Sequence, residues 1–309
     1  MAGHPFFRYI RLKVLVSALR VIVNFFTLFA PKPRLPKDVQ RRTIRIPSRD
    51  KGRFISAYLY TLKDKPATGK TPVLLNWHGS GFVIDCFGTD SEYCARVVHD
   101  TGIPVIDADY RKAPETPFPG AVDDVEDALR WVAAQTSRFD AQRVGVSGFS
   151  AGGNLALVAS SVLRKDLPEV DIQAVVAFYP VTNVTIDPAA KQAPKPKKPI
   201  PPSLARFFNR CYAPDPAMRA DPRMSPSLAD PASYPANVAI FTCDGDNLAA
   251  EANSLAESLQ GQGRHVVHRM LDGVAHAFDK GCKEGSNEWD QREIAYSLAI
   301  ESLREIFKD

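Results

Sequence analysis

The chain has 309 residues, 45% hydrophobic and 24% charged, a composition that excludes fibrous, collagen-like and wholly disordered classes. At roughly 150 residues per domain it holds one large or two ordinary domains and buries a core without metal or disulfide staples. The net charge of +4 is unevenly placed. Seven basic residues against the single acid Asp38 fall in residues 1–40, and Lys191, Lys195, Lys197 and Lys198 crowd one short segment, leaving the remainder net acidic. Two basic patches on an acidic body fit an anionic surface or substrate, or, for residues 191–198, solvated lysines on a loop. Basic and aromatic residues are not interleaved into a platform, so no nucleic-acid partner is expected. The cysteines Cys86, Cys94, Cys211, Cys243 and Cys282 are odd in number and lack C-x-x-C spacing, which argues against zinc and a disulfide framework and for reduced thiols in a cytoplasmic protein.

Residues 5–30 are apolar but broken by Arg8, Arg11, Lys13 and Arg20, and the uncharged run 21–30 is far shorter than the roughly 20 residues a spanning helix needs. No convincing small-residue cleavage site follows. At about 100° per residue, Lys13, Ser17, Arg20, Asn24 and Thr27 share one polar stripe, which predicts an amphipathic helix ended by Pro31 and Pro33. Such a helix either lids a hydrophobic pocket of the same protein or makes peripheral membrane contact in the interface.

Residues 43–46 and 54–60 alternate with period two and predict a leading antiparallel edge. Strands are then expected at 73–77, 104–108, 143–148 and 174–179, and helices at 89–100, 123–135 and 154–165. The rhythm stops at Pro180, where prolines and lysines fill 187–202, and one helix is expected at 204–212. It resumes with strands at 238–243 and 265–271 and helices at 248–260 and 288–307. Alternation of this kind predicts an α/β fold with a largely parallel sheet covered on both faces, interrupted by an insertion at 183–225.

The sharpest chemical signal is Gly148-Phe149-Ser150-Ala151-Gly152-Gly153, directly after a predicted strand and before a helix. In a G-x-S-x-G elbow the serine sits on a strained turn, small neighbours are required, and the next helix aims its N-terminus at the site. His78-Gly79-Ser80-Gly81-Phe82 ends an earlier strand, where glycines let backbone N–H groups face a developing oxyanion.

With Asp109-Tyr110-Arg111-Lys112-Ala113-Pro114-Glu115, Phe118-Pro119, Asp123-Asp124, Asp221-Pro222-Arg223-Met224-Ser225-Pro226 and Leu228-Ala229-Asp230, these motifs give a sequence that resembles the hormone-sensitive-lipase-like family of α/β-hydrolases, esterases marked by an H-G-G-G loop. The resemblance implies an α/β-hydrolase fold with a helical cap. Residues 1–40 and 183–225 correspond to the cap, and 41–182 with 226–309 to the core. For a nucleophile Ser150 the chain order Ser, Asp, His requires a downstream acid and base. Gly273-Val274-Ala275-His276-Ala277-Phe278 is similar to the family's G-x-x-H-x-F loop and designates His276 as base. Aligning 255–259 without gaps on the family's A-E-x-L helix puts Asp246 on its D-P-L acid, whereas Asp244 requires a two-residue insertion. The family's oxyanion donors fall on the N–H groups of Ser80, Gly81 and Ala151.

Four positions depart from the family pattern: Ser80 for glycine, Phe149 for an acid, Asn247 for proline and Ala277 for glycine. Phe149 either presents an apolar wall to substrate or serves structure alone. The expected activity is serine carboxylic ester hydrolysis of short- to medium-chain acyl or aryl esters, small and apolar, because Phe6, Phe7, Phe25, Phe26, Phe207 and Phe208 form an aromatic-rich lid. No cofactor and no metal are called for, and a homodimer is left open. An ester or lactone of a specialised pathway, an amide, and a receptor that keeps the fold without catalysis are the other readings; the presence of His276 argues against the last.

Overall fold

Period-two alternation builds the leading hairpin: β1 (Val39–Pro47) and β2 (Phe54–Leu62) pair antiparallel, Val39 opposite Leu62 through Pro47 opposite Phe54. The computed structural model describes residues 3–27, 29, 33–65 and 71–308. The continuous apolar runs become the central strands β3 (Val73–Trp77), β4 (Val105–Ala108), β5 (Val144–Phe149), β6 (Ile172–Phe178) and β7 (Asn237–Cys243), buried almost throughout, and β8 (His265–Leu271) closes the far edge. The order is β1-β2-β4-β3-β5-β6-β7-β8, with every pair from β4 to β8 parallel. Strands buried on both faces need helices on both faces. Side chains of α3 (Gly120–Ala134), α4 (Ala151–Ser161) and α6 (Ala249–Gly261) share one apolar core, and those of α2 (Ser91–Thr101) and α7 (Asn287–Ile306) the other.

Helix α4 begins three residues before the expected position and yields to a 3-10 turn after Ser161. Gly152 and Gly153 lie inside the helix, and packing leaves little room for a side chain at either. A Cβ on Gly152 would lie 1.8 Å from the Trp77 carbonyl oxygen. Between β6 and β7 the chain leaves the sheet, and α5 (Pro202–Tyr212) forms there.

Helix α1 (Phe6–Thr27) forms as expected, while Pro31 lies outside the described residues. Its orientation overturns the lid role expected of Phe6, Phe7, Phe25 and Phe26, though not that of Phe208, which lines the cavity. Only Leu12 and Val16 are buried. The body-facing arc combines Leu12 and Val16 with one edge of the polar stripe, where Lys13 and Arg20 pair with Glu115 and Arg20 also donates to the carbonyls of Val83 and Ala113, while Ser17, Asn24 and Thr27 are exposed. Desolvated cations need partners, and the body supplies them beneath the basic stripe. Phe6, Phe7, Phe25 and Phe26 therefore point outward, Phe7 being 86% exposed. Among the described residues no helix is long and apolar enough to cross a membrane.

Candidate active site

Parallel register brings the carboxyl ends of β3, β5, β7 and β8 to one edge, where crevices form outside the strand ends. The loop after β5 turns at Ser150, whose φ of 52° and ψ of −114° lie outside the ordinary regions for a residue with a side chain. Such a conformation costs on the order of 1–3 kcal/mol and persists only where packing over-determines it. Here the strand and helix close directly on one another: a Cβ at Gly148 would lie 2.2 Å from the Gly152 carbonyl oxygen. Ser150 N–H donates to Phe178 O at 2.9 Å, fixing the turn against β6.

His276, in the loop after β8, has its Nε2 2.8 Å from Ser150 Oγ and its Nδ1 2.7 Å from Asp246 Oδ2. A buried carboxylate opposite Nδ1 calls for the Nδ1–H tautomer, so Nε2 is the acceptor that faces the serine hydroxyl. Asp246 is held by Leu248 N–H, which donates to its other oxygen at 3.0 Å. Asp244, two residues earlier, faces away from the imidazole. Its Oδ1 accepts the backbone N–H groups of Gly273 at 2.7 Å and Val274 at 3.3 Å, in the loop that carries His276.

The loop after β3 reaches Ser150 from the other side: a Cβ at Gly79 would sit 3.2 Å from Ser150 Cβ. Gly81 has φ of +56°, and a Cβ there would meet the Phe208 ring at 2.5 Å, so glycine is required twice over. The Ser80 hydroxyl turns into the loop, accepting Phe82 N–H at 2.9 Å and lying 2.7 Å from Tyr110 Oη, which donates to His78 O at 2.6 Å. The Ser80 side chain therefore braces the loop, and its backbone, with that of Gly81 and Ala151, borders the site. Gly79, Ser80, Gly81, Ser150, Ala151 and His276 line a cavity of about 420 Å³ whose walls are mainly apolar, with Phe82, Ile84, Val181, Val184, Leu204 and Phe208 among them.

Phe149 is fully buried, stacked on Phe178 with ring centroids 4.4 Å apart, and also stands among the residues that border the cavity. Lys280 Nζ lies 3.6 Å from the centre of its ring and pairs with Asp90 at 2.7 Å and Asp279 at 2.9 Å. Burial alone would lower the Lys280 pKa, but the two carboxylates outweigh it and hold the ammonium charged. Asp279 is opposed by burial and held below the usual carboxylate range by Lys280 and by hydrogen bonds from Tyr179 and Tyr296. Tyr179 meets the His276 ring edge-on, centroids 4.9 Å apart. Tyr179, Lys280 and Tyr110 were not singled out by sequence reasoning. Tyr110 lay inside a quoted motif, but nothing local tied it to the glycine loop.

The other histidines stand apart from the serine. His78 is buried with Nε2 3.1 Å from Asp109, His99 faces Asp38, and His268 faces Asn253. Among the described residues no group of three or more His, Cys, Asp or Glu side chains is placed to hold a metal ion.

A sheet of this order with a serine elbow, imidazole and carboxylate at its carboxyl edge defines an α/β-hydrolase. The sequence profile of the alpha/beta hydrolase fold family matches residues 74–280. The chain belongs to that family, in its hormone-sensitive-lipase-like esterase branch. It is 34% identical over 220 residues to the ethyl acetate hydrolase of Pseudomonas putida, covering 70% of this chain and 68% of that protein. It is 32% identical over 235 residues to the carboxylic ester hydrolase LipN of Mycobacterium tuberculosis, covering 71% and 62%. Among solved structures, EstE1, a thermostable carboxylesterase cloned from a metagenomic library, superposes with a TM-score of 0.80 at 30% identity over 96% of this chain and 98% of that one. The hyperthermophilic esterase of the archaeon Pyrobaculum calidifontis does so with 0.77 at 29% over 99% of each.

Proposed function

We propose that the chain is a serine carboxylic ester hydrolase acting on short- to medium-chain acyl or aryl esters through an acyl-enzyme. One observation carries this: a single imidazole lies within hydrogen-bond distance of both the strained Ser150 hydroxyl and a buried carboxylate, at the wall of an apolar cavity. His276 Nε2 takes the Ser150 proton as Oγ attacks the ester carbonyl, and Asp246 stabilises the imidazolium that forms. The N–H groups of Ser80, Gly81 and Ala151 receive the oxyanion, each such donor being worth on the order of 10²–10³ in kcat. His276 then protonates the leaving alcohol, and water, activated by the same imidazole, releases the acid. A volume of about 420 Å³ suits a small ligand and sits within the roughly 300–1,000 Å³ of ordinary ligand sites. The names of the relatives, an ethyl acetate hydrolase and carboxylesterases, point the same way.

In this reading residues 1–40 and 183–225 form the cap over a core of 41–182 and 226–309, supported by Phe208 of α5 closing over the glycine loop. The five free thiols support a cytoplasmic location. The outward face of α1 is a peripheral contact with an anionic membrane surface: Phe7, Val14, Val21 and Phe25 are exposed, and the only charges on that arc are Arg8 and Arg11.

A series of p-nitrophenyl esters from acetate to palmitate tests the function. Turnover should be greatest for the short and medium acyl chains and vanish for palmitate. A chain that hydrolyses none of them contradicts the reading.

A further inference from the structure

The proline- and lysine-rich segment that follows Asp187 looks in sequence like a solvated loop, yet it is stitched to the protein along its length. The Lys191 side chain is largely covered, its Nζ 2.5 Å from Glu251 of α6 and donating to Asn183 O at 2.7 Å. Lys195 donates its backbone N–H to Asp244 O at 2.7 Å, and its ammonium lies 3.3 Å from Asp244 Oδ2. Lys197 donates its backbone N–H to Gly245 O at 3.1 Å, and its ammonium donates to Gly273 O at 2.6 Å and Glu288 at 2.9 Å. Asn247 donates to Ile200 O at 3.0 Å.

These bonds converge on two short loops. Asp244 and Gly245 meet the segment on one side. On the other, the Asp244 carboxylate accepts Gly273 and Val274 N–H, and Gly245 N–H donates to Val274 O at 3.1 Å. Asp246 and His276 follow one and two residues later. There is no slack at this junction: a Cβ on Gly245 would lie 2.6 Å from Val274 O and 2.7 Å from Lys197 Cβ. The segment then runs through Ile200 into α5, whose Leu204 and Phe208 wall the cavity.

We infer that residues 191–200 are a positioning strap that holds the Asp246 and His276 loops in register and ties that register to the cavity wall, with Lys195 and Lys197 as the positioning residues. The inference rests on the esterase reading for its consequence, since proton transfer tolerates little misplacement: an error of about 1 Å can cost on the order of 10² in rate. Neither lysine lines the cavity. The lysine side chains add to the backbone bonds, Lys195 facing Asp244 before Asp246 and Lys197 bonding Gly273 and Glu288 beside the His276 loop.

The experiment compares the wild-type chain with Lys195→Met/Lys197→Met, Lys195→Arg/Lys197→Arg and, as a control for the loss of a nearby charge, Lys198→Met, a neighbouring exposed lysine. Three quantities are read: kcat and KM for p-nitrophenyl acetate, the far-downfield proton resonance of His276 Nδ1–H against Asp246, and the circular dichroism spectrum. The double methionine variant should keep its spectrum and its KM within twofold, lose about tenfold in kcat by the misplacement argument, and show the His276 resonance shifted or broadened. The arginine pair should recover most of the loss, and Lys198→Met should match wild type. An unchanged kcat, or a lowered kcat with an unmoved resonance, overturns the strap. A wild-type chain that hydrolyses nothing fails the esterase reading instead, and the resonance still decides the strap.

Discussion

Ser150, His276 and Asp246 come from three loops 30 to 126 residues apart in sequence, and glycine decides whether they can meet. The two aspartates beside the imidazole have different work. Asp246→Asn replaces the acceptor that orients Nδ1–H with an amide that can select the wrong tautomer, and kcat should fall by on the order of 10⁴. Asp244→Asn keeps an oxygen for Gly273 and Val274 N–H but loses the charge facing Lys195, so its cost should be about tenfold, as for displaced positioning. Steady-state kinetics of both variants, with circular dichroism to establish folding, separates these roles; the reverse order of losses reassigns the acid. Motif order made Ser150 and His276 legible in the sequence, and a gapless alignment separated Asp246 from Asp244. Tyr179 and Lys280 were not legible, because Tyr179 reaches Asp279 across 100 residues and Lys280 reaches Asp90 across 190, with no local pattern at either end.

Helix α1 shows where element-level reading stops. Periodicity located the helix and its polar stripe, but the rotation that turns Lys13 and Arg20 toward the body beside Leu12 and Val16 depends on Glu115, distant in sequence. Burial alone would raise the Glu115 pKa, yet Arg20 and Lys13 outweigh it and hold the carboxyl below its ordinary value. A folded-state pKa depressed in this way gives stabilisation that is full above the unfolded value and is lost as pH falls through the folded one. The docking of α1 should therefore weaken on acidification below about pH 4, near the unperturbed glutamate value. Hydrogen exchange should report it as faster exchange across Phe6–Thr27, with β5 still protected. Glu115→Gln should give the same acceleration at neutral pH, and an α1 unaffected by that substitution would falsify the ion-pair tether. Glycines 152 and 153 teach the converse lesson. The expected helix began at residue 154, whereas α4 begins at Ala151, and its Gly152 approaches β3 too closely for any side chain.

At the scale of the whole molecule, strand–helix alternation gave the parallel sheet and its interruption, because buried parallel strands carry continuous apolar runs. The strap was hidden, since its bonds are made by backbone groups and lysines that look alike in any loop. The membrane reading of α1 predicts flotation with vesicles containing phosphatidylserine, weakened by salt and absent with phosphatidylcholine alone. Phe7→Asp/Phe25→Asp should abolish it without touching turnover on p-nitrophenyl acetate. A dimer lost in that variant, with no flotation of the parent chain, would assign the face to a second copy instead. The central claim is the acyl-enzyme, and the most direct measurement is intact-mass and peptide analysis of enzyme quenched during turnover of p-nitrophenyl acetate. The account predicts one acetyl group on the peptide containing Ser150, and neither acetyl group nor turnover in a folded Ser150→Ala chain. Wild-type turnover in Ser150→Ala, or an acetyl group carried by another residue during turnover, would contradict it.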